Sequence, residues 1–190
     1  MKNFHQILSG IDPGPLLTQL EAHPELWSFE TEWTRKKRGS AIYNEENIVL
    51  RYLTLGMGEG ARLFLYEEER DRDNWTRPNF HILDTAKPIV FGLMRAVPGE
   101  HLGHVIITRL PPGEKITPHT DQWHPAAGAP YWQRYQVPLR ADPGVWFYCG
   151  DERLYMEPGN AYGFNNQVEH GVANDSCADR ISMIVDIRPF

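Results

Sequence analysis

Hydrophobic positions follow two regimes along the chain. Near the N-terminus, Asp12-Pro13 opens a stretch in which Leu16, Leu17 and Leu20 recur at helical spacing beside Glu21, stopping before Pro24. A second helical stripe begins at Lys87-Pro88, where proline suits the first turn. It carries Ile89, Val90, Leu93 and Met94 to a stop at Pro98-Gly99. Both predict core-packing helices. Residues 27–66 mix short β-like runs, such as Ile48 to Thr54, with loop residues, and 67–77 reads as a charged, exposed segment.

From His104 the pattern shortens. His104 to Leu110 is β-rich and ends in the turn Pro111-Pro112-Gly113. Strand-like runs follow at Arg134 to Arg140, Val145 to Cys149, Arg153 to Met156, Ala161 to Phe164, Val168 to Val172 and Arg180 to Ile187. Turns separate them at 141–144, Gly150-Asp151, Pro158-Gly159-Asn160 and 174–176. Some seven or eight short strands at roughly 8 to 12 residue spacing predict an antiparallel sandwich or barrel, and a cupin-like jelly roll has the right strand count. The expected fold class is mainly β with flanking helices. One domain over residues 1–190 is expected, with 1–103 packing on a β core formed by 104–190.

Composition narrows the function. With 19 Lys+Arg against 25 Asp+Glu, the formal charge is −6, which argues against nucleic acid as a partner. The one dense basic run, Arg35 to Arg38, reads as a solvated turn or as a contact for an acidic ligand. Cys149 and Cys177 are too few for a disulfide framework, and no CxxC pair offers zinc a thiolate site. No apolar run approaches about 18 residues, so neither signal peptide nor membrane span is expected, and a cytoplasmic location is.

Chemistry concentrates in two separated pieces, Thr117-Pro118-His119-Thr120-Asp121 and Glu169-His170-Gly171. On an extended segment His119 and Asp121 leave the same face, as two ligands of one metal must. His170 adds a second imidazole. Two histidines and a carboxylate on one face of an octahedral metal leave the opposite positions open, the arrangement of non-haem Fe(II) oxygenases. If 174–176 is a hairpin tip, His170 and Arg180 stand opposite each other on adjoining strands, and Ser182 shares that face. Arg180 then suits a two-pronged grip on a carboxylate such as the distal end of a dicarboxylic acid. The plainer readings are a core histidine at 170 and an ion pair of Arg180 with Asp121, Asp175 or Asp179. No other histidine has an equally good set of partners, His124 being the nearest competitor to the HxD segment.

The stretches PPGEKITPHTD, GDERLYMEPGNAYGFNNQVEHGVAND and DRISMIVDIRP, over about Val105 to Pro189, resemble the aspartyl/asparaginyl β-hydroxylase family. That family lies within the Fe(II)- and 2-oxoglutarate-dependent oxygenases of double-stranded β-helix fold. The resemblance implies iron on His119, Asp121 and His170, the 2-oxoglutarate C5 carboxylate on Arg180, and Ser182 as its hydroxyl partner. Asp121 departs from animal members, in which that position can be glycine. Arg134 and Gln136, on the strand after the HxD loop, are further candidates for reaching cosubstrate or substrate. The implied reaction consumes O₂, decarboxylates 2-oxoglutarate to succinate and hydroxylates a peptide Asp or Asn, a free amino acid or another small molecule. Trp123, Tyr131, Trp132 and Tyr135 are candidate walls of the substrate entrance or ordinary core, and residues 122–133 are a candidate lid. Two alternatives stay open: a cupin-type isomerase or hydrolase that does without 2-oxoglutarate, and a non-catalytic jelly-roll binding protein.

Overall fold

The structure, a computed structural model, describes residues 1–27, 45–53, 74–121 and 132–189. Strands β1 (Phe4–Leu8), β2 (Glu46–Leu53), β3 (Asn74–Thr76) and β4 (Gly99–Leu110) are joined by β6 (Gln133–Arg140), β9 (Ala161–Phe164) and β11 (Arg180–Pro189) in a seven-stranded sheet. Its order is β1-β9-β6-β11-β4-β2-β3. Strands β5 (Lys115–His119), β7 (Val145–Cys149), β8 (Glu152–Leu154) and β10 (His170–Asn174) form a second sheet of order β5-β10-β7-β8. Every described pairing is antiparallel. From β4 to β11 the chain passes back and forth between the two sheets, apart from the β7–β8 hairpin within the small one, which is the double-stranded β-helix form of the jelly roll.

Among the described residues, helices α1 (Gly14–Ala22), α2 (Asn79–Ile82) and α3 (Ala86–Ala96) cover the outer face of the large sheet. Leu16, Leu20, Phe80, Val90 and Leu93 pack there against Ile107, Val137, Met183, Val185 and Ile187. The predicted stripes at 16–20 and 89–94 thus form helices with the expected buried face. A second cluster fills the space between the sheets: Leu110, Tyr162 and Phe164 from one side, Val145, Phe147, Cys149 and Val172 from the other.

With both faces covered, the central strands lose the clean alternation of a half-exposed sheet and read as apolar runs. Parity therefore carries the information. On β11, Ile181, Met183, Val185 and Ile187 join the helix-side core, which leaves Arg180, Ser182 and Asp186 on the opposite, inner face. All three are buried. The same parity places Thr108 on β4 and Arg134 and Gln136 on β6 across from them, beside the cross-strand pairs Ser182↔Thr108 and Asp186↔Arg134.

One expectation needs correction. The segment at 174–176 is not a hairpin tip, because β10 pairs with β5 and β7 while β11 pairs with β4 and β6. His170 and Arg180 therefore sit in different sheets. Asn174 knits this crossover: its amide donates to the Leu110 and Ala178 carbonyls at 2.9 and 2.8 Å and its oxygen accepts from Ser176 Oγ at 2.6 Å. Of the two readings of Tyr135, the ordinary core is the one observed, on the helix side of the large sheet. Within the charged segment 67–77, residues 74–76 pair with β2 as a strand. The Arg35 to Arg38 run, residues 67–73, Trp123, His124, Tyr131 and residues 122–131 of the candidate lid lie outside the described residues.

Candidate metal centre

His119 ends β5, an edge strand of the small sheet, and pairs across to His170 at the start of β10. The register slips between this pair and Val172↔Ile116, where β5 carries the extra residue at Thr117-Pro118. Proline has no N–H to give a ladder and is tolerated at such edge irregularities, which re-aim the side chain that follows. Gly171 allows the strands to close: a Cβ there would lie 2.7 Å from the Ile116 carbonyl oxygen and 3.3 Å from Pro118 N. Asp121 lies beyond the strand end, held by its backbone N–H donating to the Asn166 carbonyl at 3.2 Å.

The three side chains converge. One ligand atom from each of His119, Asp121 and His170 lies within 4.8 Å of the others. The imidazole centroids are 4.5 Å apart, and His170 Nε2 is 3.8 Å from Asp121 Oδ2. In each ring Nδ1 faces a backbone carbonyl, Thr117 at 2.8 Å for His119 and Val168 at 2.9 Å for His170. A carbonyl only accepts, so Nδ1 carries the proton in both rings and Nε2 presents its lone pair. Phe147 stacks at 6.1 Å and Phe164 meets the ring edge at 4.8 Å, fixing the plane of His170. Burial is the largest influence on His170 and lowers its pKa, favouring the neutral imidazole that a metal needs.

Asp121 is divided between two tasks. Its Oδ1 accepts from Arg134 Nη1 at 2.8 Å, while Oδ2 is buried with no hydrogen-bond partner. A buried carboxylate oxygen without a partner is costly. A cation between Oδ2 and the two Nε2 atoms would remove that cost, so this donor set fits a divalent metal of the two-His-one-carboxylate type.

Deeper on the inner face, Arg180 Nη2 donates to Gln136 Oε1 at 3.1 Å, and Ser182 Oγ donates to the same oxygen at 2.8 Å. Arg180 is 4% exposed, and burial pulls its pKa down to about 10, with Glu45 acting in the opposite sense. Thr108, on the Ser182 row, buries a hydroxyl without a partner. Arg134 is turned to Asp121 and to Asp186, which it meets through Nε and Nη2 at 2.8 Å each. His104 completes that group, its Nδ1 3.1 Å from Asp186 Oδ2. His104 thus has a partner that the sequence reading did not find. The available signal was parity, since Asp186 shares the even-numbered face of β11 with Arg180 and Ser182.

The two sheets form a double-stranded β-helix, and beside its small sheet two imidazoles and a carboxylate come together as a possible metal site. Comparison of the whole fold agrees. A viral collagen prolyl hydroxylase from Paramecium Bursaria Chlorella virus-1, solved as its 2OG complex, superimposes with a TM-score of 0.55 over 99% of this chain and 97% of that chain, at 11% identity. A prolyl-4-hydroxylase from Pseudomonas putida gives 0.51 over 99% and 93%, at 12% identity. No curated protein matches the chain in sequence. The family model for aspartyl/asparaginyl β-hydroxylase matches residues 60–189, and the chain belongs to that family. That family is one of hydroxylases. Among the described residues no helix is long and apolar enough to cross a membrane.

Proposed function

We propose that the protein hydroxylates an amino-acid substrate, free or within a peptide, using Fe(II) held by His119 Nε2, Asp121 Oδ2 and His170 Nε2. The observation that carries this reading is the convergence of three ligand atoms from two distant segments, one of them a buried carboxylate oxygen without a hydrogen-bond partner. When bound, iron and 2-oxoglutarate supply the oxidation of a substrate C–H to C–OH, with O₂ consumed and 2-oxoglutarate cleaved to succinate and CO₂. The chain's own residues provide orientation. The Thr117 and Val168 carbonyls hold both imidazoles in the tautomer that offers Nε2. Arg180, steadied by Gln136 and flanked by the Ser182 hydroxyl, binds the distal carboxylate of 2-oxoglutarate in a site from which water is largely excluded. Arg134 acts on Asp121 rather than on the cosubstrate.

A buried guanidinium on the inner face suits the distal carboxylate of 2-oxoglutarate, which favours the oxygenase. The test is turnover without a prime substrate. Anaerobically purified protein given Fe(II), ascorbate and then O₂ is expected to convert 2-oxoglutarate to succinate, and to lose this activity in His170→Ala. Absence of succinate from protein shown to hold Fe(II) would overturn the proposal.

A further inference from the structure

The buried group His104–Asp186–Arg134 is larger than the metal ligands require, and its geometry is directional. Three adjacent strands contribute to it, β4, β11 and β6, with Asp186 and Arg134 in direct register. His104 and Asp186 are 3% and 4% exposed. Arg134 meets Asp186 through two parallel N–H···O bonds of 2.8 Å, the fork geometry that fixes the plane of a guanidinium. Once that plane is fixed, the third bond, from Nη1 to Asp121 Oδ1, has only one direction. His104 in turn fixes the Asp186 carboxylate at 3.1 Å.

We propose that Asp186 and His104 are positioning residues for the metal carboxylate: they aim Arg134 at one oxygen of Asp121 and thereby commit the other, Oδ2, to the metal. The inference rests on the metal site proposed above and adds a division of labour inside it. Asp186 also shares the positive charge of Arg134. Without it, the whole guanidinium would pair with Asp121 alone and compete with the metal for that carboxylate. Burial pushes the Asp186 carboxyl upward, but the adjacent Arg134 charge and the bonds from Arg134 and His104 outweigh it and keep the group ionised.

The test is Co(II) titration of chelator-stripped protein, followed by calorimetry and by the cobalt d–d absorption, with circular dichroism as the check on folding. Asp186→Asn is expected to weaken Co(II) binding about 10- to 100-fold, the usual effect of losing an outer partner of a metal ligand. It should also alter the d–d spectrum. His104→Leu should shift affinity in the same direction, and His104→Gln, which restores an N–H donor, should recover it. In an Arg134→Met background, Asp186→Asn should cost nothing further, because both act on Asp121 through one contact. If Asp186→Asn does not fold, the two His104 variants carry the test. Wild-type affinity and spectrum in folded Asp186→Asn or His104→Leu, with binding lost in His170→Ala, would overturn the positioning role and leave the metal site standing. Failure of the wild type to bind Co(II), or binding indifferent to His170→Ala, would overturn the metal site and this inference with it.

Discussion

Replacing Arg180 by methionine separates ligand binding from stability. The guanidinium is almost fully buried, donates one bond to Gln136, and has its pKa pulled down to about 10. That lies roughly two and a half pH units below an ordinary guanidinium; at about 1.4 kcal/mol per unit, burial disfavours the charge by about 3 kcal/mol. A bidentate carboxylate would recover at least that much, so Arg180→Met should weaken 2-oxoglutarate binding by about 100-fold or more. The free protein tells the other half. Removing the charge relieves about 3 kcal/mol, and losing its bond to Gln136 costs about 1.5–3 kcal/mol, with Gln136 still bonded to Ser182. Stability of the ligand-free variant should be unchanged or slightly higher. Calorimetric titration of Mn(II)-loaded protein with 2-oxoglutarate, beside urea unfolding of the metal-free form, measures both. Unchanged affinity together with a stability loss of about 2 kcal/mol or more would refute the reasoning and make Arg180 a structural residue.

Three further outcomes follow from the same geometry. Asn174→Ala strips the donors from two carbonyls at the sheet crossover and should cost about 2–4 kcal/mol in urea unfolding; a wild-type midpoint would contradict its role there. Gly171→Ala places a methyl against the backbone of β5, so it should cost about 1–3 kcal/mol and lower metal affinity through displacement of His119; unchanged metal affinity would count against the close approach. Asp186 gives up its proton more readily in the fold than in the unfolded chain, so its contribution is complete above about pH 3.9 and is lost as pH falls below that value. Stability of Asp186→Asn should therefore decline less steeply than wild type between about pH 4 and pH 2, and equal slopes would contradict the ion pair.

Much of the architecture was legible because local chemistry marks it. The stripes at Leu16–Leu20 and Ile89–Leu93 form α1 and α3, and the runs 145–149 and 161–164 are strands with those bounds. The HxD spacing and His170 also picked out side chains that the fold brings together. What failed was long-range pairing. A turn between two strands looks the same whether the chain folds back as a hairpin or crosses to a facing sheet, so the partnership of His170 with Arg180 came out wrong even though Arg180 and Ser182 do share a face. Strand β1 pairs with β9 from the far end of the chain, and nothing within Phe4–Leu8 announces that partner. The His104–Asp186–Arg134 group was missed for the same reason, since its members come together only when β4, β11 and β6 are set in register.

A crystal structure of the protein with Mn(II) in place of iron and 2-oxoglutarate bound would decide the central question. The metal is expected on Nε2 of His119, Nε2 of His170 and Oδ2 of Asp121, with the distal carboxylate of the ligand on Arg180. A metal bound elsewhere, or a carboxylate directed away from Arg180, would contradict the account.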